Sequence, residues 1–374
     1  MSALFQPLAL RDLTLSNRVV VSPMCQYSSI DGNAQAWHDV HLGQLAMSSA
    51  GMLILEATAI EDIGRITPGC LGLYSDANEQ HISKLLTTVR AVNTQSPLPL
   101  CIQLSHAGRK ASSNVPWKTG AQIPLDQGGW NTVAPDNIAH KPGELPPQAL
   151  SVAQIHAIKD KFVAATKRSD RLNIDAIELH CAHGYLMHQF LSPLSNQRDD
   201  TYGGTLENRM RLPLEIFSAV RDAWPEHKPL GIRLSATDWD EQSSWDINES
   251  VIFAQKLEAL GCDWIDVSSG GVSINQKINL EPGYQVHLAK NIKQSVSIPV
   301  MAVGLITDPL HAEEIVAQGD ADVVALARAF LYNPRWVWHA AATLDANVSV
   351  PEQYWRCAPA NVGRLFGDTP IGQR

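Results

Sequence analysis

The sequence predicts an α/β fold, a single-domain (β/α)8 TIM barrel, on three observations. Eight short apolar, β-rich runs recur along the chain, helical patterns separate them, and groups of His, Tyr and Cys follow directly on apolar runs. Strands that alternate with helices pair in parallel, and eight parallel strands close a barrel whose interior is filled by side chains. The runs cover 19–22, 52–56, 100–104, 176–179, 230–234, 264–267, 300–303 and 323–326. Chemistry in such a barrel is expected at the C-terminal strand ends, where the polar groups that follow the runs would gather.

Taken in order, the first run leads into SPMCQY, which carries Cys25 and Tyr27. After the third run the chain makes a long excursion from 105 to 150, rich in turn formers such as GG at 128–129 and PP at 146–147; loops of that length usually cover a site. The fourth run ends in HCAHGY, with His180, His183 and Tyr185. A helix is expected after it, because Leu206, Met210, Leu214, Phe217, Val220 and Trp224 recur at steps of three or four behind the turn and N-cap residues Gly203, Gly204 and Thr205. Pro213 falls inside that stripe, where a missing N–H donor costs roughly 3 kcal/mol and predicts a kink. Arg233, Gly304 and Arg328 stand at the ends of the fifth, seventh and eighth runs. With no internal repeat or linker, the chain reads as one domain.

Composition narrows the function. The 374 residues are 45% hydrophobic and 18% charged, enough to bury a large core. A formal charge of −9 and no basic run oppose a nucleic-acid or anionic-membrane partner, which needs a basic face. The longest apolar stretches, such as MLIL at 52–55, are too short to span a bilayer, and the start MSALFQPLALRD has no leader pattern. Cys25, Cys70, Cys101, Cys181, Cys262 and Cys357 form no CxxC, so neither a metal ribbon nor a disulfide framework is expected, and a cytoplasmic setting fits.

Two histidines three residues apart would share a face if helical, and zinc is one alternative, although no HExxH or further ligand spacing accompanies them. A pair of donors aimed at one carbonyl or anionic oxygen, with Tyr185 as proton donor, is the other; histidines merely satisfied in a loop fit as well. Cys25 reads either as packing or as a residue of the same barrel mouth. Small residues and an arginine after the seventh and eighth runs are the ingredients of a phosphate site, which points to a mononucleotide-type cofactor. Neither GxGxxG nor GxxxxGK[ST] is present.

The motifs NRVVVSPMCQY (17–27), LEATAIEDIGRITPG (55–69), IQLSHAGRKAS (102–112), IELHCAHGYLMHQFLSPLSNQRDDTYGGTLENR (177–209) and MAVGLIT (301–307) resemble the Old Yellow Enzyme family of flavin-dependent ene-reductases, in its bacterial xenobiotic reductase subgroup. The resemblance runs from about residue 5 to residue 356 and implies a TIM barrel holding FMN non-covalently, with NADPH or NADH as reductant and activated alkenes or nitro compounds as substrates. It implies that Ser22, Pro23, Met24, Cys25, Ala57 and Gln103 touch the isoalloxazine, that Arg233 sits by its N1/O2 edge, and that Gly304 and Arg328 cradle the phosphate beside Val303 and Ala327. His180 and His183 match the pair that binds the activating oxygen, Tyr185 the proton donor and Tyr27 a second substrate-side hydroxyl; Cys25 would adjust potential and substrate fit rather than attack. Ala327 replaces a usual glycine, and Val303 stands where some relatives carry tryptophan. QYWR at 353–356 resembles a segment that sends an arginine, here Arg356, into a neighbouring subunit's site, so a homo-oligomer is implied. Residues 1–356 would then form the FMN-binding barrel and 357–374 a C-terminal tail that could be disordered. The rivals are a dienoyl-CoA-reductase-type relative, opposed by the scattered cysteines and the chain length, a metal-dependent barrel hydrolase, and a flavin-binding redox sensor without turnover.

Overall fold

The computed structural model describes residues 2–94, 96–243, 245–362, 364–367 and 369. A hairpin of β1 (Leu8–Leu10) and β2 (Leu13–Leu15) precedes β3 (Val19–Val21), β4 (Met52–Ala59) and β5 (Leu100–Ser105). The short parallel pair β6 (Val133–Ala134) and β7 (Gln148–Ala149) follows, then β8 (Ala176–Cys181), β9 (Leu230–Ser235), β10 (Trp264–Ser268), β11 (Val300–Ala302) and β12 (Val323–Leu326). Strands β3, β4, β5, β8, β9, β10, β11 and β12 close a parallel barrel in sequence order, β12 pairing with β3. All eight expected strands are present, most of them a residue or more longer toward the C-terminus.

The helices are α1 (Ala36–Ala46), α2 (Asp76–Ala91), α3 (Val152–Arg171), α4 (Leu186–Leu191), α5 (Leu206–Ala223), α6 (Ile247–Ala259), α7 (Val286–Lys293), α8 (Pro309–Ala317), α9 (Arg328–Tyr332) and α10 (Trp336–Thr343). Side-chain caps start several of them: Ser151 forms a capping box with Gln154, and Thr205 accepts from the Asn208 N–H as its position predicted. Helix α5 is continuous through the buried Pro213. The excursion between β5 and α3 is more ordered than its composition suggested, since it contains the β6–β7 pair and two single 3-10 turns, Gly108–Lys110 and Leu125–Gln127.

Strands covered on both faces explain the near-continuous apolar runs. Outward residues such as Leu53, Ile102, Ile177 and Ile232 pack in the large cluster with the helices. Inward residues Val20, Met52, Ile54, Cys101, Ala176, Trp264, Met301 and Val323 pack inside the barrel with Leu10 and Leu15 of the hairpin, which plugs its N-terminal end. Period two then carries polar side chains to the interior of the C-terminal half: Gln103, Glu178, Arg233 and Asp266 at one level, Ser22, His180, Ser235 and Ser268 one step above.

Trp264 enters the lower interior only because β9 carries Gly231 opposite it; a Cβ there would lie 2.0 Å from the indole Cε2. Gly231→Ala is expected to destabilise the fold by about 3 kcal/mol through overpacking, read as a lower urea midpoint. An unchanged midpoint would mean the indole has room to shift.

The C-terminal tail is described over residues 357–362, 364–367 and 369. Leu365 and Phe366 are buried, and the Phe366 ring lies 5.3 Å from that of Trp338 on α10. Residues 363, 368 and 370–374 lie outside the described residues.

Candidate active site

His180 is the penultimate residue of β8, and the chain turns immediately after it, so the pair HCAH is not helical. His183 adopts a left-handed backbone (φ 58) followed by Gly184 (φ 72), a conformation that costs a non-glycine residue about 1–2 kcal/mol. Several contacts hold it. The His183 N–H donates to Ser235 Oγ (2.9 Å), Lys110 Nζ donates to the His183 carbonyl (2.7 Å) and to that of Gly271 (2.8 Å), and a Cβ on Gly184 would meet the Gly271 oxygen at 2.2 Å. The turn is thereby clamped between the β5 and β10 loops.

This clamp sets the three rings around one point. The His180 and His183 centroids are 5.1 Å apart, those of His180 and Tyr185 4.9 Å, all edge-on. The Ala182 N–H donates to His180 Nδ1 (3.2 Å), which leaves Nε2 to carry the hydrogen. His183 Nε2 is taken by Ser268 Oγ at 2.7 Å, so Nδ1 is its remaining polar atom. Among the described residues no group of three His, Cys, Asp or Glu side chains is arranged to hold a metal.

Burial, and then the positive Arg233, hold both histidines well below their usual pKa. Each is a neutral imidazole with one N–H to offer at pH 7. Burial pushes the Tyr185 hydroxyl well up, so it keeps its proton. Burial likewise depresses His41 to about 4 and His140 to about 3, with His38 and the nearby cations adding to the effect. All four histidines take up protons near pH 6.5 once the chain unfolds. The unfolded state therefore gains protons first as the pH falls, and stability present above 6.5 is lost toward acid. Calorimetry between pH 7 and 5 is expected to show a falling melting temperature, less steeply in His140→Gln; equal slopes would remove His140 from this account.

Cys25 and Tyr27 (φ 52) occupy the turn after β3, held by the Gln26 N–H on Glu56 Oε2 (3.1 Å). The Cys25 thiol donates to the Cys70 sulfur, and this bond together with burial pushes its pKa well up. It is a thiol, not a thiolate. Tyr27 packs edge-on to Trp117 from the excursion (5.5 Å).

Below the histidines lies the charged layer. Arg233 Nε is 3.2 Å from Asp266 Oδ2, at ion-pair distance but off the hydrogen-bond line. Gln103 Nε2 donates to Glu178 Oε1 (2.8 Å) and Trp264 Nε1 to Oε2 (3.3 Å), and burial beside Asp266 lifts Glu178 to about 8.

Comparison with known proteins places this arrangement. The model of the NADH:flavin oxidoreductase / NADH oxidase family matches residues 3–347. The chain belongs to this family. An NADH:flavin oxidoreductase of Gibberella zeae is 42% identical over 93% of this chain and 87% of its own, and the NADPH dehydrogenase of Bacillus subtilis is 38% identical over 94% and 98%. The solved structure of morphinone reductase in complex with tetrahydroNAD superimposes with a TM-score of 0.74 at 26% identity, covering 93% of this chain and 92% of that one. The chain is thus an NAD(P)H-dependent flavin oxidoreductase of the Old Yellow Enzyme type, with FMN as cofactor.

The residues present fit the family's FMN. Ser22 Oγ is buried with no partner, which a buried hydroxyl rarely tolerates without a ligand or water. Gly304 (φ 120) follows β11, and a Cβ there would press on Gln285 Nε2 at 2.9 Å and on the Tyr284 ring at 3.1 Å. Arg328 does not end a strand as expected but opens α9; its charge acts on Tyr284, so it shares a neighbour with Gly304, and it makes no ion pair among the described residues. Ala327 caps α9, and Val303 lies buried just past β11. Pro23 and Met24 line the same mouth between Ser22 and Cys25, and Ala57 lies on β4 one residue after Glu56.

Arg356 is not brought to this site. It lies exposed on a 3-10 turn, Glu352–Cys357. The neighbouring Tyr354 packs on Trp338, whose indole N–H bonds Ser49 just before β4, at the opposite end of the barrel. Sequence reasoning missed Lys110, Ser235, Ser268 and Gln285. It also missed His188, whose Nδ1 accepts the Gly184 N–H (2.9 Å) and whose Nε2 bonds Asp238 (2.9 Å). Lys110 lay inside a quoted motif, IQLSHAGRKAS; the serines and Gln285 had no spacing signal at all.

Proposed function

We propose that the protein is an ene-reductase, reducing the activated C=C bond of α,β-unsaturated carbonyl and nitro compounds with NADPH as reductant and one pocket serving both partners in turn. The observation that carries this reading is the convergence of two neutral imidazoles and a protonated tyrosine on one point. When bound, FMN supplies the hydride that NADPH delivers to it and the alkene β-carbon receives.

Charge then grows on the activating oxygen, and His180 Nε2–H and His183 Nδ1–H are the donors that meet it. Ser268 orients the second of these through the bond between its Oγ and His183 Nε2 (2.7 Å), and in the tautomer where the serine donates, the hydrogen stands on Nδ1. Donors fixed by the fold need no reorganisation as charge develops. Because both rings are neutral, they stabilise the oxygen without surrendering a proton to it. That proton comes from Tyr185, aimed at the α-carbon. Arg233 would favour the anionic edge of the reduced cofactor, while the protonated Cys25 shapes the pocket and the potential.

The names of the NADPH dehydrogenase relatives support NADPH. Arg356, remote from its own site, suits a homo-oligomer in which it reaches a second copy's pocket. Six free cysteines suit a cytoplasmic setting. A flavin-binding sensor would keep the same cofactor contacts but lack turnover.

The test is the visible spectrum of the purified holoenzyme under anaerobic conditions. NADPH should bleach the flavin bands and cyclohexenone should restore them. Bleaching without restoration would favour the sensor, and no flavin uptake would remove the cofactor assignments.

A further inference from the structure

Tyr185, beside His180, and Tyr27 line a cavity of about 150 Å³ that is walled by Arg109, Lys110, His140, Lys141 and Glu144. Its cations are unusual in forming no ion pair among the described residues, although Glu144 lines the same cavity. Arg109 is 5% exposed; its guanidinium donates to the Ile138 and Val272 carbonyls (3.2 and 2.8 Å), and its Nε has no acceptor. Lys110 uses two of its three hydrogens on the His183 and Gly271 carbonyls. None of Arg109, Lys110 and Lys141 forms an ion pair among the described residues. Glu144, the acid at the cavity, accepts only the Lys141 backbone N–H (3.2 Å), and Asp238, whose field reaches Arg109, is engaged by His188, Ser192 and Ser243.

Buried charges are ordinarily paired. Here burial, and then repulsion from Arg109 and Lys141, lower Lys110 to about 8; burial lowers Arg109 to about 10 against the pull of Asp238 and Glu144; and His140 is driven neutral with its Nδ1 buried and unpartnered. Carbonyl contacts alone would suit residues that merely fasten the excursion to the loops after β8 and β10. They do not account for the orphaned Nε and a third cation on the same cavity wall. The activating oxygen is served by His180 and His183, so the ene-reductase chemistry leaves these cations unused.

We propose that this cavity is a subsite for a carboxylate carried by the substrate, which makes the preferred substrates activated alkenes bearing an anionic group. Arg109 and Lys110 provide the buried charge, Lys141 the entrance, and the His140 ring a neutral wall. The inference rests on the ene-reductase reading, because the alkene's carbonyl must be anchored at His180 and His183 for its carboxylate to reach past Tyr185. The cost of holding two cations out of water is met in folding, so an anion entering the cavity gains charge-assisted hydrogen bonds at little further cost.

The test uses two phenols of the same shape on the FMN-loaded protein, 4-hydroxybenzoate and its neutral analogue 4-hydroxybenzamide, with dissociation constants read from the visible spectrum. The carboxylate is expected to bind at least about tenfold more tightly, and the ratio to fall toward one in Lys141→Gln and in Arg109→Gln. The amide serves as the reference within each variant. If Arg109→Gln does not fold, Lys141→Gln alone decides. Equal affinities in the parent protein, or a ratio that survives Lys141→Gln, overturn the subsite while leaving the phenol anchor intact. Binding of neither phenol overturns the anchor itself, and the subsite with it.

Discussion

Tyr185→Phe is expected to accept hydride from NADPH at the parent rate and to lose roughly 10²–10⁴-fold in the reoxidation of the flavin by an enone. The asymmetry follows from where the proton is needed. On the proposed mechanism flavin reduction by NADPH asks nothing of Tyr185, whereas saturation of the alkene requires a proton at the α-carbon, and Tyr185 is the proposed acid, beside His180 at a ring distance of 4.9 Å. The substitution removes one oxygen and keeps the ring, so the His180 contact and the Lys110 ammonium 5.3 Å from the ring are preserved. Rapid mixing of each half-reaction checks it. Equal slowing of both halves would assign Tyr185 to cofactor geometry instead.

The second large effect belongs to the histidines. His180→Ala removes a preorganised donor and is expected to cost about 10²–10³-fold in enone reduction, together with a clear loss of affinity for simple phenols, whose oxygen resembles the charged one formed in the reaction. At position 183 alanine is a poor probe, because the left-handed backbone there strains any β-carbon without a local hydrogen bond. His183→Asn retains that backbone and one N–H donor, so it should weaken phenol binding less than His180→Ala does. Spectral titration distinguishes the two, and unchanged phenol affinity in both variants would dissolve the pair.

The barrel was legible because its strands are covered on both faces and therefore read as unbroken apolar runs, from VVV at β3 to VVAL at β12. The active-site histidines and tyrosine were legible because their types are rare directly after such a run. Lys110 was not singled out: its partner His183 is 73 residues away, and the bond is to a main-chain carbonyl, which carries no side-chain signature. Ser268 acts on His183, and Gln285 donates to the Val303 carbonyl (3.2 Å); serine and glutamine are common for unrelated reasons. Pro213 does not end its helix. The buried face of α5 holds the helix in place despite the missing donor, since packing outweighs local preference in a helix pressed on a barrel.

On β8 and β10 a step of two residues leads from the side chain that fills the plugged interior to the one that joins the charged layer, and a second such step reaches the candidate site: Ala176, Glu178 and His180 on β8, Trp264, Asp266 and Ser268 on β10. Selection for a new substrate therefore acts on the upper rung of this ladder while the lower rung keeps the molecule foldable. An evolving or engineered descendant can exchange His183, Tyr27 or the cations around Tyr185 without drawing on the reserve held by Met52, Trp264 and Met301.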